Sequence, residues 1–245
     1  MTSFRGSDPA RAALYLEDSY LRECDADVLS VENGKFVVLD RTIFHPEEGG
    51  QAWDTGRLVR EGEQFDVVYV GKFSGSVSQR WTGPASKRGG RVRCHLDWER
   101  RHRLMRSHSA LHILWTALKS IQKLEIVGTK VEAEHLRFDV RADREGLIKG
   151  LGEVEALANR IVREDRPVTA KVLGRAEAEG LFSNYEEDPS QLPPSERVRV
   201  VEVEGWDVSA CTGTHVRRTL EVGTIRMLKR ASKGKDIDRI YFTVD

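Results

Sequence analysis

The sequence predicts an α+β protein in which a small N-terminal β-barrel precedes a domain of long helices and strands. Three observations carry this. From Leu14 to about Leu96 the chain runs in short β-prone pieces, among them ALYLED, ADVLSV, KFVVLD and FDVVYV, separated by turn residues. After Trp98 the apolar spacing switches to threes and fours. Strand-like runs return at 168–173, 197–204, 223–229 and 238–244, without the regular strand-helix alternation of a doubly wound sheet.

Each element follows from local chemistry. In VLSVENGKFVVLD, Asn33-Gly34 lies between two alternating apolar runs. A type I′ turn needs positive φ at both central residues, which Asn and Gly tolerate, so a β-hairpin is predicted there. Gly49-Gly50 in FHPEEGGQAWDTG and Gly89-Gly90 in SKRGGR break the β pattern with loops, the second just before the periodicity changes. The domain boundary is therefore expected between Gly90 and Asp97, giving a barrel domain over 1–95 and an α+β domain over 96–245. Leu104, His108, Leu111, His112 and Trp115 share one face of the first long helix. A second, over 144–164, turns Leu147, Leu151, Val154, Leu157, Ala158 and Ile161 inward, and Pro167 stands just beyond its end.

Composition narrows the function classes. With 245 residues, 39% of them hydrophobic and 32% charged, the chain is globular and long enough for one large core or two modest ones. Its 39 Lys and Arg balance its 39 Asp and Glu, so it lacks the positive field that binds nucleic acid indiscriminately, and any RNA contact has to use local patches. Cys24, Cys94 and Cys211 are odd in number and far apart, which argues against a secreted disulfide framework. The N-terminus has no apolar h-region and no run reaches the roughly 18 apolar residues of a spanning helix, so a cytosolic protein without membrane contact is expected.

The chemistry concentrates in two short motifs. His108 and His112, four apart on a predicted helix, project from one face one turn apart and can chelate one ion. Alone, such a pair is as readily two helix histidines near a domain interface. Cys211-Thr-Gly-Thr-His215 adds a thiolate and an imidazole in a segment able to turn tightly. Three nitrogens and one sulfur favour Zn²⁺ over Mg²⁺ or Ca²⁺, which want hard oxygen ligands. A closed set of four is usually structural, and Cys211 is the candidate for a displaceable ligand that frees a position for water or a substrate hydroxyl. The helix reads HSALH and lacks the Glu of HExxH, which removes metalloprotease chemistry from consideration.

Five blocks, in order, resemble the freestanding alanyl-tRNA editing proteins, the AlaX family, which are similar to the editing region of alanyl-tRNA synthetase. They are TIFHPEEGGQAWDTG at 42–56, DWERRHRLMRSHSALHIL at 97–114, LRFDV at 136–140, SACTGTHVRRTLEVGTIRMLK at 209–229 and SKGKDIDRIYF at 232–242. The resemblance implies a medium-length member: a barrel domain carrying the GGQ segment, then a zinc-binding α+β editing domain resembling the one shared by threonyl- and alanyl-tRNA synthetases. It implies His108, His112, Cys211 and His215 as ligands of one Zn²⁺ per chain, with His108 and His112 central to catalysis. The implied reaction is hydrolysis of the ester in Ser-tRNA(Ala), and also Gly-tRNA(Ala), misacylated because an alanine pocket cannot reject them strongly by size. The partner is the acceptor end of tRNA(Ala), the compartment the cytoplasm, and a monomer the favoured state.

The same resemblance places Gly128 and Thr129 at the amino-acid pocket, where the Thr129 hydroxyl would hydrogen-bond a seryl side chain; an ordinary turn before a strand is the alternative. Leu111 stands where the synthetase has Thr, as in freestanding members, and Ile126 where it often has Gln. Gly49, Gly50 and Gln51 would approach RNA through backbone unobstructed by Cβ, or form a barrel turn. Lys233, Gly234 and Lys235, with Lys229 and Arg230, make a basic patch for acceptor-stem phosphates, or else a solvated hairpin. Arg100, Arg101, Arg103 and Arg106 either extend it or form an ordinary charged helix face, whereas Arg137 and Asp139, on one face of a strand, read as structural ion-pairing residues. Two other functions fit the motifs: a threonyl-tRNA editing hydrolase, against which the GGQ block argues, and a non-catalytic zinc-stabilised tRNA-binding module.

Overall fold

A computed structural model describes residues 12–73, 76–82, 89–234 and 236–245. It has mixed α+β architecture and separates into two compact units, one formed by the described residues up to Arg103 with Thr212–Thr214, the other by Leu104–Cys211 with His215–Asp245. Among the described residues no helix is long and apolar enough to cross a membrane.

The first unit begins with β1 (Ala12–Ala13) and α1 (Leu14–Glu17). Six strands then close into a barrel: β2 (Glu23–Glu32), β3 (Phe36–Leu39), β5 (Gly56–Arg60), β6 (Glu63–Phe73), β7 (Ser76–Thr82) and β8 (Arg91–Leu96), in the order β2-β3-β7-β6-β5-β8. The short β4 (Arg41–Thr42) pairs in parallel with β1. Alternation does the sorting: Ala26 and Val28 of β2, Phe65 and Val67 of β6, and Val92, Cys94 and Leu96 of β8 point inward and share one core. Asn33 and Gly34 turn the β2–β3 hairpin with φ of 53° and 65°, as the Asn-Gly dipeptide predicts.

The ALYLED piece is not a strand beyond Ala13. Leu14–Glu17 makes a helical turn, closed by the Asp18 amide donating to the Leu14 carbonyl at 2.9 Å, and this turn buries Tyr15 with its ring 5.2 Å from that of His45. Burying a tyrosine outweighs the weak β preference of six residues.

α2 (Trp98–Ile121) carries the chain out of the barrel unit, and the division falls inside it at Arg103 and Leu104, not ahead of it. The first helical turn stays with the barrel because Trp98 packs on the barrel core, 5.4 Å from the Tyr20 ring and with the Arg22 guanidinium 4.1 Å above it. Arg101 is completely buried in this unit. It grips both Asp54 carboxylate oxygens and donates to the carbonyls of Ser19 at 2.8 Å and Ile43 at 2.5 Å. Arg100 donates to the Trp53 carbonyl, and Arg106, in the second unit, to those of Val222 and Asp245. Arg101, fully buried, holds the fold and has no reach to a phosphate, while Arg100 and Arg106 are partly exposed and bound to backbone carbonyls.

The second unit has two antiparallel sheets. One has the order β14-β15-β10-β9, from β9 (Glu125–Val131), β10 (Leu136–Arg141), β14 (Ile225–Ser232) and β15 (Ile237–Val244). Leu136, Phe138 and Val140 alternate inward with Ile240 and Phe242 on the neighbouring strand. α3 (Arg144–Arg163) starts at Asp143, whose carboxylate accepts from the Gly146 amide, and joins β14 through the Asn159 side-chain amide, which bonds both backbone groups of Ile225. The other sheet is β11 (Val168–Gly174), β12 (Arg197–Val203) and β13 (Asp207–Ala210), packed by α4 (Arg175–Asn184) through Ala178 and Phe182.

Asp139 forms a structural ion pair with Arg239, directly opposite on β15, at 2.6 and 2.7 Å.

Candidate metal centre

α2 delivers His108 and His112 on one face, and the chain leaving β13 delivers Cys211 and His215. The four ligand atoms lie within 4.8 Å of one another, with the three histidines buried and Cys211 partly exposed. This is a group that can hold a metal ion. Cys211 Sγ stands 3.5 Å from His108 Nε2 and 3.4 Å from His215 Nε2, so both rings turn the same nitrogen inward. Cys211 itself is anchored by continuation of the β12–β13 ladder: its amide donates to the Arg199 carbonyl at 3.1 Å, and the Arg199 guanidinium returns a bond to the Cys211 carbonyl at 2.7 Å.

Two residues invisible to motif reading orient the rings. Asp207 Oδ2 lies 2.8 Å from His112 Nδ1, and Asp207 also accepts from Thr116 and Ser209 hydroxyls. Ser109 Oγ lies 3.2 Å from His215 Nδ1 and accepts from the Val216 amide. An Nδ1–H donating to such a partner leaves Nε2 its lone pair for a metal. The signal for Asp207 was present but faint: 207, 209 and 211 alternate on one extended face leading to the cysteine.

The charges agree with a ligand set. Burial alone raises a thiol, yet the imidazoles of His108 and His215 prevail and hold Cys211 well below the usual thiol range. Burial and neighbouring His108 push His215 down to about 3. Burial opposes charge on His112, but the Asp207 carboxylate and the Cys211 sulfur lift it to about 10. Asp207→Asn keeps the shape and removes the carboxylate charge. We expect a roughly 10- to 100-fold weaker metal affinity, measured by competition with a chromophoric chelator, whereas an unchanged affinity would mean that Asp207 serves the fold alone.

Within the barrel unit, which includes Thr212–Thr214, the GGQ segment is a tight turn. Gly49 and Gly50 have φ of 61° and 81°, and Glu48 and Gln51 bridge across them. Gln51 is 1% exposed; its side-chain amide donates to Thr214 Oγ1 at 2.9 Å and accepts from the Thr214 amide at 3.0 Å. His45 Nε2 lies 3.3 Å from the Thr212 carbonyl. Gln51 is thus committed to the residues linking Cys211 and His215, while Gly49 and Gly50 are exposed.

Thr129 sits inside β9, not in a turn. Its register partner is Phe138, which places it on the covered face of the sheet; a bulge brings Ile126, opposite Val140, to the same face. Gly128 pairs with Asp139 on the other face, so only its backbone is shared with the Thr129 side. Leu111 is buried on α2. Lys233 and Gly234 are exposed, Arg230 is paired with Asp238, and Lys235 lies outside the described residues.

Two family descriptions match the chain. Residues 198–241 match the "Threonyl and Alanyl tRNA synthetase second additional domain", and residues 17–100 match "tRNA synthetases class II (A)". The matched segments, one of which holds Cys211 and His215, are of the synthetase-related class. Across nearly its whole length the chain is similar to curated proteins. It is 41% identical to the alanyl-tRNA editing protein AlaX-M of Methanosarcina acetivorans, covering 94% of this chain and 98% of that one. Its identity to the Methanosarcina barkeri counterpart is 38%, over 95% and 98%. It is 43% identical to the alanine–tRNA ligase of Thermofilum pendens, over 94% of this chain but 25% of the ligase. The chain belongs to the AlaX-M family of alanyl-tRNA editing proteins.

Proposed function

We propose that this protein removes serine, and also glycine, from mischarged tRNA(Ala) by zinc-dependent ester hydrolysis in trans, in the cytoplasm. Alanyl-tRNA editing itself follows from the family. The observation that supports zinc is the spacing of the donor atoms. A tetrahedral ion with Zn–S of about 2.3 Å and Zn–N of about 2.05 Å sets sulfur and nitrogen about 3.5 Å apart. Cys211 Sγ stands 3.5 and 3.4 Å from two imidazole nitrogens.

His108, His112, Cys211 and His215 would hold the ion, which when bound supplies Lewis acidity toward the ester carbonyl or a water. The protein's own residues do the rest. Asp207 and Ser109 fix the His112 and His215 rings, and burial of the three histidines excludes bulk water from their side of the centre. Cys211, the one partly exposed ligand, is the one placed to yield its position. That argues for a catalytic site over a purely structural one.

Thr129 is the specificity residue of this reading. A hydroxyl bond to a seryl side chain is worth about 0.5–1.5 kcal/mol, roughly twofold to thirteenfold in rate. Thr129→Val should slow seryl release by that factor while leaving glycyl release unchanged; equal effects on both would remove Thr129 from discrimination. Contacts to the acceptor end fall to exposed Gly49, Gly50, Lys233 and Gly234, with Lys235. Lys229, whose ammonium lies 4.8 Å from the Tyr241 ring, adds a cation beside an aromatic suited to a ribose or base. Comparing deacylation of Ser-tRNA(Ala) with that of Ser-tRNA(Thr) separates this function from threonyl-tRNA editing: preference for tRNA(Ala) is expected, and preference for tRNA(Thr) would overturn it.

A further inference from the structure

Cys24 and Cys94 take no part in the metal centre, yet they face each other. Cys24 of β2 and Cys94 of β8 are direct partners across an antiparallel pair. The Leu96 amide donates to the Arg22 carbonyl at 2.8 Å and the Val28 amide to the Gly90 carbonyl at 3.0 Å. These bonds fall on the even-numbered residues of β2, which makes Cys24 and Cys94 a hydrogen-bonded pair. Cα atoms of such pairs are about 5.5 Å apart, inside the window of about 4.4–6.8 Å that disulfides span. Opposed residues share a face, and both side chains join the barrel core, Cys94 fully buried and Cys24 partly exposed beside it.

We propose that Cys24 and Cys94 form a reversible thiol-oxidation site that hydrogen peroxide converts to a cross-strand disulfide. The two cysteines have different parts. Hydrogen bonding from Cys94 holds the Cys24 thiol below its usual range, whereas the same bond and burial push Cys94 up. Cys24, the more acidic and the accessible one, reacts first. Its thiolate attacks one peroxide oxygen and the O–O bond breaks, giving a sulfenic acid and, with a proton, one water. The Cys94 sulfur then attacks the sulfenic sulfur; the S–O bond breaks and the departing hydroxide takes the Cys94 proton as a second water. Two thiols lose two electrons and the peroxide gains them. A thiol reductant reverses the bond by exchange. The bond ties β2 to β8, the strand that runs into α2, and closes a long loop between them, so oxidation raises the unfolding temperature of the barrel.

The test treats the metal-loaded full-length protein with hydrogen peroxide, followed by non-reducing peptide mapping, thiol counting and thermal unfolding. The expected result is a linked Cys24–Cys94 peptide, loss of two thiols, a mass lower by two hydrogens and a higher unfolding temperature, all reversed by dithiothreitol. In Cys24→Ser, Cys94 should stay a free thiol under the same treatment, since it is buried and hard to ionise. Cys24 and Cys94 both remaining reduced, Cys24 oxidised without a link, or a link through Cys211 would each overturn the proposal. None of these outcomes depends on whether Ser-tRNA(Ala) is the substrate.

Discussion

Replacing His108 or His112 with alanine should remove bound metal and deacylation together. Each histidine supplies one of four donors packed within 4.8 Å, and the three that remain form a weaker chelate with a gap in the tetrahedral set. Metal content, measured by atomic absorption, should fall from about one per chain to near zero. Deacylation should fall to the spontaneous rate, and added zinc should not rescue it at ordinary concentrations. The fold should survive, because the barrel core and the core beneath α4 are built from apolar residues and include neither histidine. A variant that loses its metal but keeps full activity would refute the metal-dependent mechanism.

Replacing Arg101 should have the largest effect on stability. Arg101 and Asp54 both have completely buried side chains, and Asp54 also accepts from the His45 amide at 2.5 Å. Removing one partner of a buried, hydrogen-bonded pair costs about 3–5 kcal/mol, because the other charge stays desolvated. Arg101→Met also strands the Ser19 and Ile43 carbonyls, and Arg101→Lys fares little better, since one ammonium cannot reproduce a planar fork with four acceptors. In a domain of roughly 100 residues each kcal/mol moves the midpoint by about 4–8 °C. Thermal unfolding of either variant should therefore begin more than about 10 °C early. A shift of a degree or two would mean that the carboxylate is hydrated and the pair contributes little.

The four residues that can hold a metal were legible because helix and loop geometry bring i and i+4 together, so HxxxH and CxxxH, ambiguous singly, read together as two halves of one set. The barrel strands, α2, α3 and the late strands were legible for a similar reason: their apolar periods are regular. What escaped was what only three-dimensional pairing decides. Asp207 looks like any turn-adjacent aspartate until β13 carries it to His112. Gln51 reads as a polar residue beside two glycines, and its commitment to Thr214 depends on a contact 163 residues away in the chain. Arg101 belongs to a run of four arginines whose charge suggests solvent and RNA, yet the register of α2 turns it into the barrel unit's core. α4 was missed because RAEAEGLFSN offers few apolar residues and a mid-helix Gly180, and only packing of Ala178 and Phe182 on the second sheet makes it a helix.

Whether the four-residue centre is a metal site that deacylates serine from tRNA(Ala) is tested most directly by following release of radiolabelled serine from Ser-tRNA(Ala), with Ala-tRNA(Ala) alongside, by the native protein, by protein stripped with a chelator, and by stripped protein restored with one equivalent of zinc. Rapid serine release is expected from native and restored protein, background release from stripped protein, and Ala-tRNA(Ala) left intact throughout. Equal serine release with and without metal would contradict this expectation.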